Sequence, residues 1–114
     1  MKPSVTVEVG GKVHNLRLTM NSIAALEAVL GKTFGGVLKG LQHRELNFRD
    51  LRVLMWASLY SLDPDITVDA AGDFFDQLGP EAALEKLSDV VDLYVSGDQK
   101  NAPQPTGRTK KESS

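Results

Sequence analysis

The stretch VTVEVGGKVHNLRL, residues 5–18, decides how this chain folds. Val5, Val7 and Val9 alternate with Thr6 and Glu8; Gly10-Gly11 follows; Leu16 and Leu18 then alternate with Asn15 and Arg17. Period two around a Gly-Gly pair predicts a β-hairpin, because both turn residues take positive φ without a Cβ clash. A two-residue loop pairs Val9 with Lys12, Val7 with His14 and Val5 with Leu16. One face then collects Val5, Val7, Val9, His14, Leu16 and Leu18. A lone hairpin is marginal in water, so this face must lie on helices or on another chain's strands.

Outward from the hairpin the pattern is helical. In TMNSIAALEAVLG, Thr19 or Asn21 caps a start, Gly31 stops the helix, and Ile23, Leu26, Val29 and Leu30 form one stripe. A short helix is predicted from about Phe34 to Gln42 with Thr33 as cap, weakened by Gly35, Gly36 and Gly40 at up to about 1 kcal/mol each. Asn47 caps a third, with Asp50 near its positive end. From Val53 to Leu62 this helix is apolar on nearly every side, as a central, covered helix would be, and Trp56 and Tyr60 lie one turn apart. Asp63-Pro64 ends it. Thr67 opens a fourth helix, and Gly79-Pro80-Glu81 opens a fifth that reaches about Ser96.

These elements predict one α+β domain over residues 1–97, mostly α: an N-terminal hairpin packed on a bundle of about five short helices. Residues 98–114 have few apolar side chains and two prolines, which predicts a disordered basic tail. At 114 residues there is room for one core. The chain has no cysteine, its start lacks an apolar signal core, and Val53–Leu62 is too short to cross a bilayer. A soluble, intracellular protein is expected.

The charges are sorted by region. Residues 1–62 hold eight basic and four acidic side chains, a balance of +4. Residues 63–98 hold ten acidic ones against Lys86 alone, a balance of −9. Residues 99–114 hold four basic and one acidic, +3. An acidic helical half beside a basic tail points to docking on other proteins rather than to catalysis. With a sequence pI near 5.6, no nucleic-acid partner is expected.

Chemical motifs are thin. Gly31-Lys32-Thr33 echoes the end of a phosphate loop, but Leu26 stands where the first glycine belongs and the segment follows a helix, so Gly31 is a helix stop. Asp63, Asp65, Asp69 and Asp73 resemble calcium ligands. Val68 and Phe74, however, occupy the positions that need glycine and a bidentate glutamate. Neither His14, on a strand face, nor His43, near a helix end, has a nucleophile evident beside it. No catalytic, cofactor-binding or metal-binding residue is assigned, and the chain is not expected to be an enzyme.

Candidate partner-binding residues cluster in the last two helices: Phe74, Phe75, Leu78, Val91 and Tyr94 beside a row of carboxylates, Glu81, Glu85, Asp89 and Asp92. Adjacent helical residues point about 100° apart, so Phe74 and Phe75 do not share a narrow stripe. Either one is core and the other lies at its edge, or one is an anchor for a partner. The carboxylate row is either a solvated face or a docking face.

The order of these segments resembles a known family. The hairpin, then LRLTMNSIAALEAVLG, the helix ending LQHRELNFRDLRVLMWASL, the acidic DITVDAAGDFFDQLGP and a last amphipathic helix are similar to the small tail assembly chaperones of siphophages and gene transfer agents. Some members of that family are labelled tail tube components. The resemblance covers about residues 4–96. It implies a non-enzymatic chaperone that binds the tape-measure protein, helps recruit tail tube subunits, works in the cytoplasm of the bacterial host and is absent from the mature particle. In some phages a frameshift extends the product; an A-rich run encoding Lys110-Lys111 would be the place to look in the gene. Self-association through hairpin edges is a further expectation. The rival readings are a tail tube or tail terminator subunit that stays in the particle, and a small acidic regulatory binding protein. A tube subunit would generally need more strand than one hairpin supplies.

Overall fold

The computed structural model describes residues 4–101, with side chains described as far as Ser96. Two strands, β1 (Val5–Val9) and β2 (Lys12–Leu16), form an antiparallel hairpin. Five helices follow: α1 (Met20–Leu30), α2 (Phe34–Gln42), α3 (Phe48–Tyr60), α4 (Val68–Leu78) and α5 (Pro80–Asn101). The architecture is α+β and mostly α, as the sequence predicts. The register is also the predicted one, with Val5 opposite Leu16, Val7 opposite His14 and Val9 opposite Lys12. Gly10 and Gly11 carry the turn at φ +60° and +80°. Val7, Val9, Leu16 and Leu18 are buried against the helices, while Val13 points the other way and is exposed.

Helices α1 to α4 each start where a short polar side chain accepts from the first turn. Thr19 and Ser22 form a reciprocal capping box at α1, and Thr33, Asn47 and Thr67 accept from Gly36, Asp50 and Ala70. Gly31 ends α1 at φ 67° and donates back to the Glu27 carbonyl. α3 is the central element: Leu51, Val53, Leu54, Met55, Ala57, Ser58 and Leu59 are all buried. It packs against α1, α4 and α5. The hairpin is pinned to it by two bonds at the strand exit. The Arg17 N–H donates to the Ser58 carbonyl at 2.8 Å, and Ser61 Oγ donates to the Arg17 carbonyl at 2.7 Å.

Three expectations change. The α1 stripe is Ile23, Leu26 and Leu30 with Ser22, while Val29 is exposed because α1 covers only one narrow side of the core. Gly40 is more than a weak spot in α2. A Cβ there would sit 2.6 Å from Leu46 Cδ2, so the glycine lets the following loop fold back onto the helix. Helix α5 runs to Asn101 rather than ending near Ser96. Gly97 costs it only about 1 kcal/mol. Residues 98–101 of the expected tail are thus helical, and residues 102–114 of it lie outside the described part. Among the described residues no helix is long and apolar enough to cross a membrane.

Candidate docking surface

The acidic half of the chain becomes two helices with different jobs. Helix α4 is covered on two sides. Phe74 faces the hairpin, where its ring meets His14 edge-on at a centroid distance of 4.9 Å. Phe75 faces the start of α3 and the α4–α5 junction. Both are buried, at 7% and 8% exposure. Each side of α4 has its own neighbour, so residues 100° apart both reach apolar cover. Phe74 is therefore a core residue. Phe75 is core with one edge on a groove.

The other candidate residues divide in the same way. Val91 is buried, and Leu78 and Tyr94 are half-buried. The Tyr94 ring meets Phe34 of α2 edge-on at 6.3 Å, so it helps seat α5 on α2. Glu81, Glu85, Asp89 and Asp92 are all exposed. Their spacing of three and four places them in one row along α5. The row is accessible, but the apolar residues named beside it face inward.

Two grooves flank α4. The first, of about 630 Å³, lies between the hairpin and the α3–α4 connection, with Val13, His14, Leu62, Asp63, Ile66, Asp73 and Phe74 among its walls. The second, of about 730 Å³, lies between the start of α3 and α4, lined by Phe48, Arg52, Asp69, Gly72, Asp73, Phe75, Asp76 and Pro80. Phe48 is the signal that sequence reading passed over. It is the first residue of α3 and, at 82% exposure, the most exposed large hydrophobic residue among those described. Gly72 lets the Arg52 methylenes lie flat across α4, since a Cβ there would be 3.0 Å from Arg52 Cδ. Arg52 Nη1 stands 3.5 Å from Asp69 Oδ1, and both side chains are solvated, so this pair holds little. Asp73 and Asp76 are exposed on the same rim. One cation against three carboxylates leaves the groove negative, with Phe48 and Phe75 in its walls.

Among the described residues no three His, Asp or Glu side chains gather as a metal-binding group, and Asp63, Asp65, Asp69 and Asp73 spread along the α3–α4 connection and α4. His14 packs on Phe74, and His43 is exposed just beyond α2.

A family model described as phage tail tube protein, GTA-gp10, matches residues 2–73. The chain belongs to this family. It is thus a tail-related protein of the phage and gene-transfer-agent type, in line with the resemblance seen in the sequence. The match spans the hairpin, α1, α2, α3 and the first half of α4. It includes Phe48, Arg52, Asp69, Gly72 and Asp73 of the second groove, and stops before α5 and its carboxylate row. No curated protein and no solved structure matches the chain.

Proposed function

We propose that this protein serves the tail tube of a phage or gene transfer agent by binding other tail proteins, without catalysis. The observation that carries the proposal is the tail-tube family match over residues 2–73. That description favours a tube component retained in the particle over the chaperone role first expected from the resemblance. Binding, rather than chemistry, suits a surface of two open grooves and an exposed carboxylate row.

A specific observation supports the second reading, a tail assembly chaperone that acts in the host cytoplasm on the tape-measure protein and leaves before maturation. The described chain offers one hairpin with strands of five residues each, and its other regular elements are helices. Strands that short give little edge from which to build a continuous wall.

Quantitative mass spectrometry of purified mature particles separates the two. A tube component is present in many copies per tail. A chaperone is missing from tails but accumulates in lysates, bound to the tape-measure protein. If the chain is found in neither tails nor complexes with tail proteins, the proposal fails.

A further inference from the structure

The groove between α3 and α4 combines apolar walls, the rings of Phe48 and Phe75 with Pro80, and an acidic rim, Asp69, Asp73 and Asp76. The chain also carries a segment of the opposite character. Residues 102–114 read APQPTGRTKKESS, with Pro103 and Pro105 followed by Arg108, Lys110 and Lys111. Closely spaced prolines favour the polyproline II form, which docks on aromatic grooves at low entropic cost. Three cations match three carboxylates.

Reach decides which copy's groove is filled. Pro80 lines the groove and also begins α5, so Asn101 lies about 30 Å away along a helix rising about 1.5 Å per residue. Pro103 and Pro105 follow Asn101 by two and four residues, about 7 and 13 Å even when fully extended. The prolines fall short of their own groove by more than about 15 Å. The cations come back to it only at full stretch, with the prolines left outside.

We propose that residues 103–111 of one copy dock in the Phe48–Phe75–Pro80 groove of a second copy, prolines against the Phe48 and Phe75 rings and cations on the Asp69–Asp73–Asp76 rim. The contact joins the α5 end of one subunit to the α3–α4 face of the next, a self-association that leaves the hairpin edges free. Such a head-to-tail contact propagates into a ring or a filament according to the rotation between copies. The inference does not depend on whether the chain stays in the particle.

The test is sedimentation of the full-length protein over a range of concentration and salt, with circular dichroism to confirm that each variant folds. Wild-type protein is expected to associate at low salt and to return to monomer as salt rises. Asp73→Lys with Asp76→Lys in the groove, or Lys110→Glu with Lys111→Glu in the tail, should each weaken association by about tenfold or more. Combining the four changes re-pairs the charges and should restore most of it. Pro103→Ala with Pro105→Ala should weaken association without altering its salt dependence. A protein that stays monomeric at low salt overturns the proposal, as does association that none of these variants affects. Particle composition reports on the tail-tube reading separately, so failure of one is not failure of the other.

Discussion

Lys32 Nζ stands 2.6 Å from Asp50 Oδ2 and joins the loop after α1 to the first turn of α3. Asp50 is 2% exposed, while its partner's side chain is about half exposed at 46%. The carboxylate lies near the positive end of α3, where its own N–H is held by Asn47 Oδ1 at 2.8 Å. Among the described residues Lys32 is the donor to that carboxylate, and Asp50 Oδ1 accepts from none. Lys32, part of the stretch that echoes a phosphate loop in the sequence, thus pairs with a buried carboxylate.

Lys32→Met leaves a buried carboxylate with its charge unpaired and should destabilise the protein by about 1–3 kcal/mol. Asp50→Asn in the same background should recover part of that loss. A double-mutant cycle from urea unfolding measures the coupling. A coupling at or below about 0.3 kcal/mol, the level of an exposed pair, would show that burial adds nothing here.

Leu54 is 1% exposed at the centre of α3. Leu54→Ala should cost about 2–5 kcal/mol, read from the denaturant midpoint at constant slope. A loss below about 0.5 kcal/mol, as for a surface change, would mean that α3 is not the central helix.

Trp56 Nε1 donates to the Ile66 carbonyl at 3.0 Å and its ring lies 5.0 Å from that of Tyr60. This bond ties α3 to the connection that leads into α4. Trp56→Phe keeps an aromatic ring but leaves the carbonyl without its donor, and should cost about 1 kcal/mol. Thermal melts followed by circular dichroism give the value. An unchanged midpoint would show that the connection is held without the indole.

Removing residues 102–114 should leave the thermal midpoint nearly unchanged at dilute concentration, because the core of the described residues is built from Val7 to Val91. Differential scanning calorimetry checks this. A large fall would mean that these residues pack on their own copy rather than on another.

Much of the architecture was legible from neighbouring residues. The hairpin register follows from alternation and a Gly-Gly turn, and the starts of α1 to α4 follow from Thr19, Thr33, Asn47 and Thr67. These are interactions within three or four residues, so the local order of side chains specifies them. The acidic row of α5 was legible for the same reason, since helical spacing alone puts Glu81, Glu85, Asp89 and Asp92 on one face. The docking surface was less so. Its apolar candidates were drawn from periodicity, which reveals one favoured face of a helix and not how many neighbours surround it.

What depended on the tertiary structure is every relation between distant positions. Glu27 Oε2 accepts from the Phe34 N–H, Arg49 Nη2 donates to the Val29 carbonyl, and Ser61 meets Arg17 across 44 positions of sequence. Phe74 and Phe75 are both covered because the hairpin closes one side of α4 and the start of α3 the other. Phe48, an ordinary core candidate by residue type, stands in solvent because, among the described residues, α4 approaches the first turn of α3 without covering its ring. Local chemistry selects the elements, since capping and alternation act over a few ångströms of chain. Burial belongs to surfaces that meet in space, and only the packed helices decide which apolar side chains remain available to a partner.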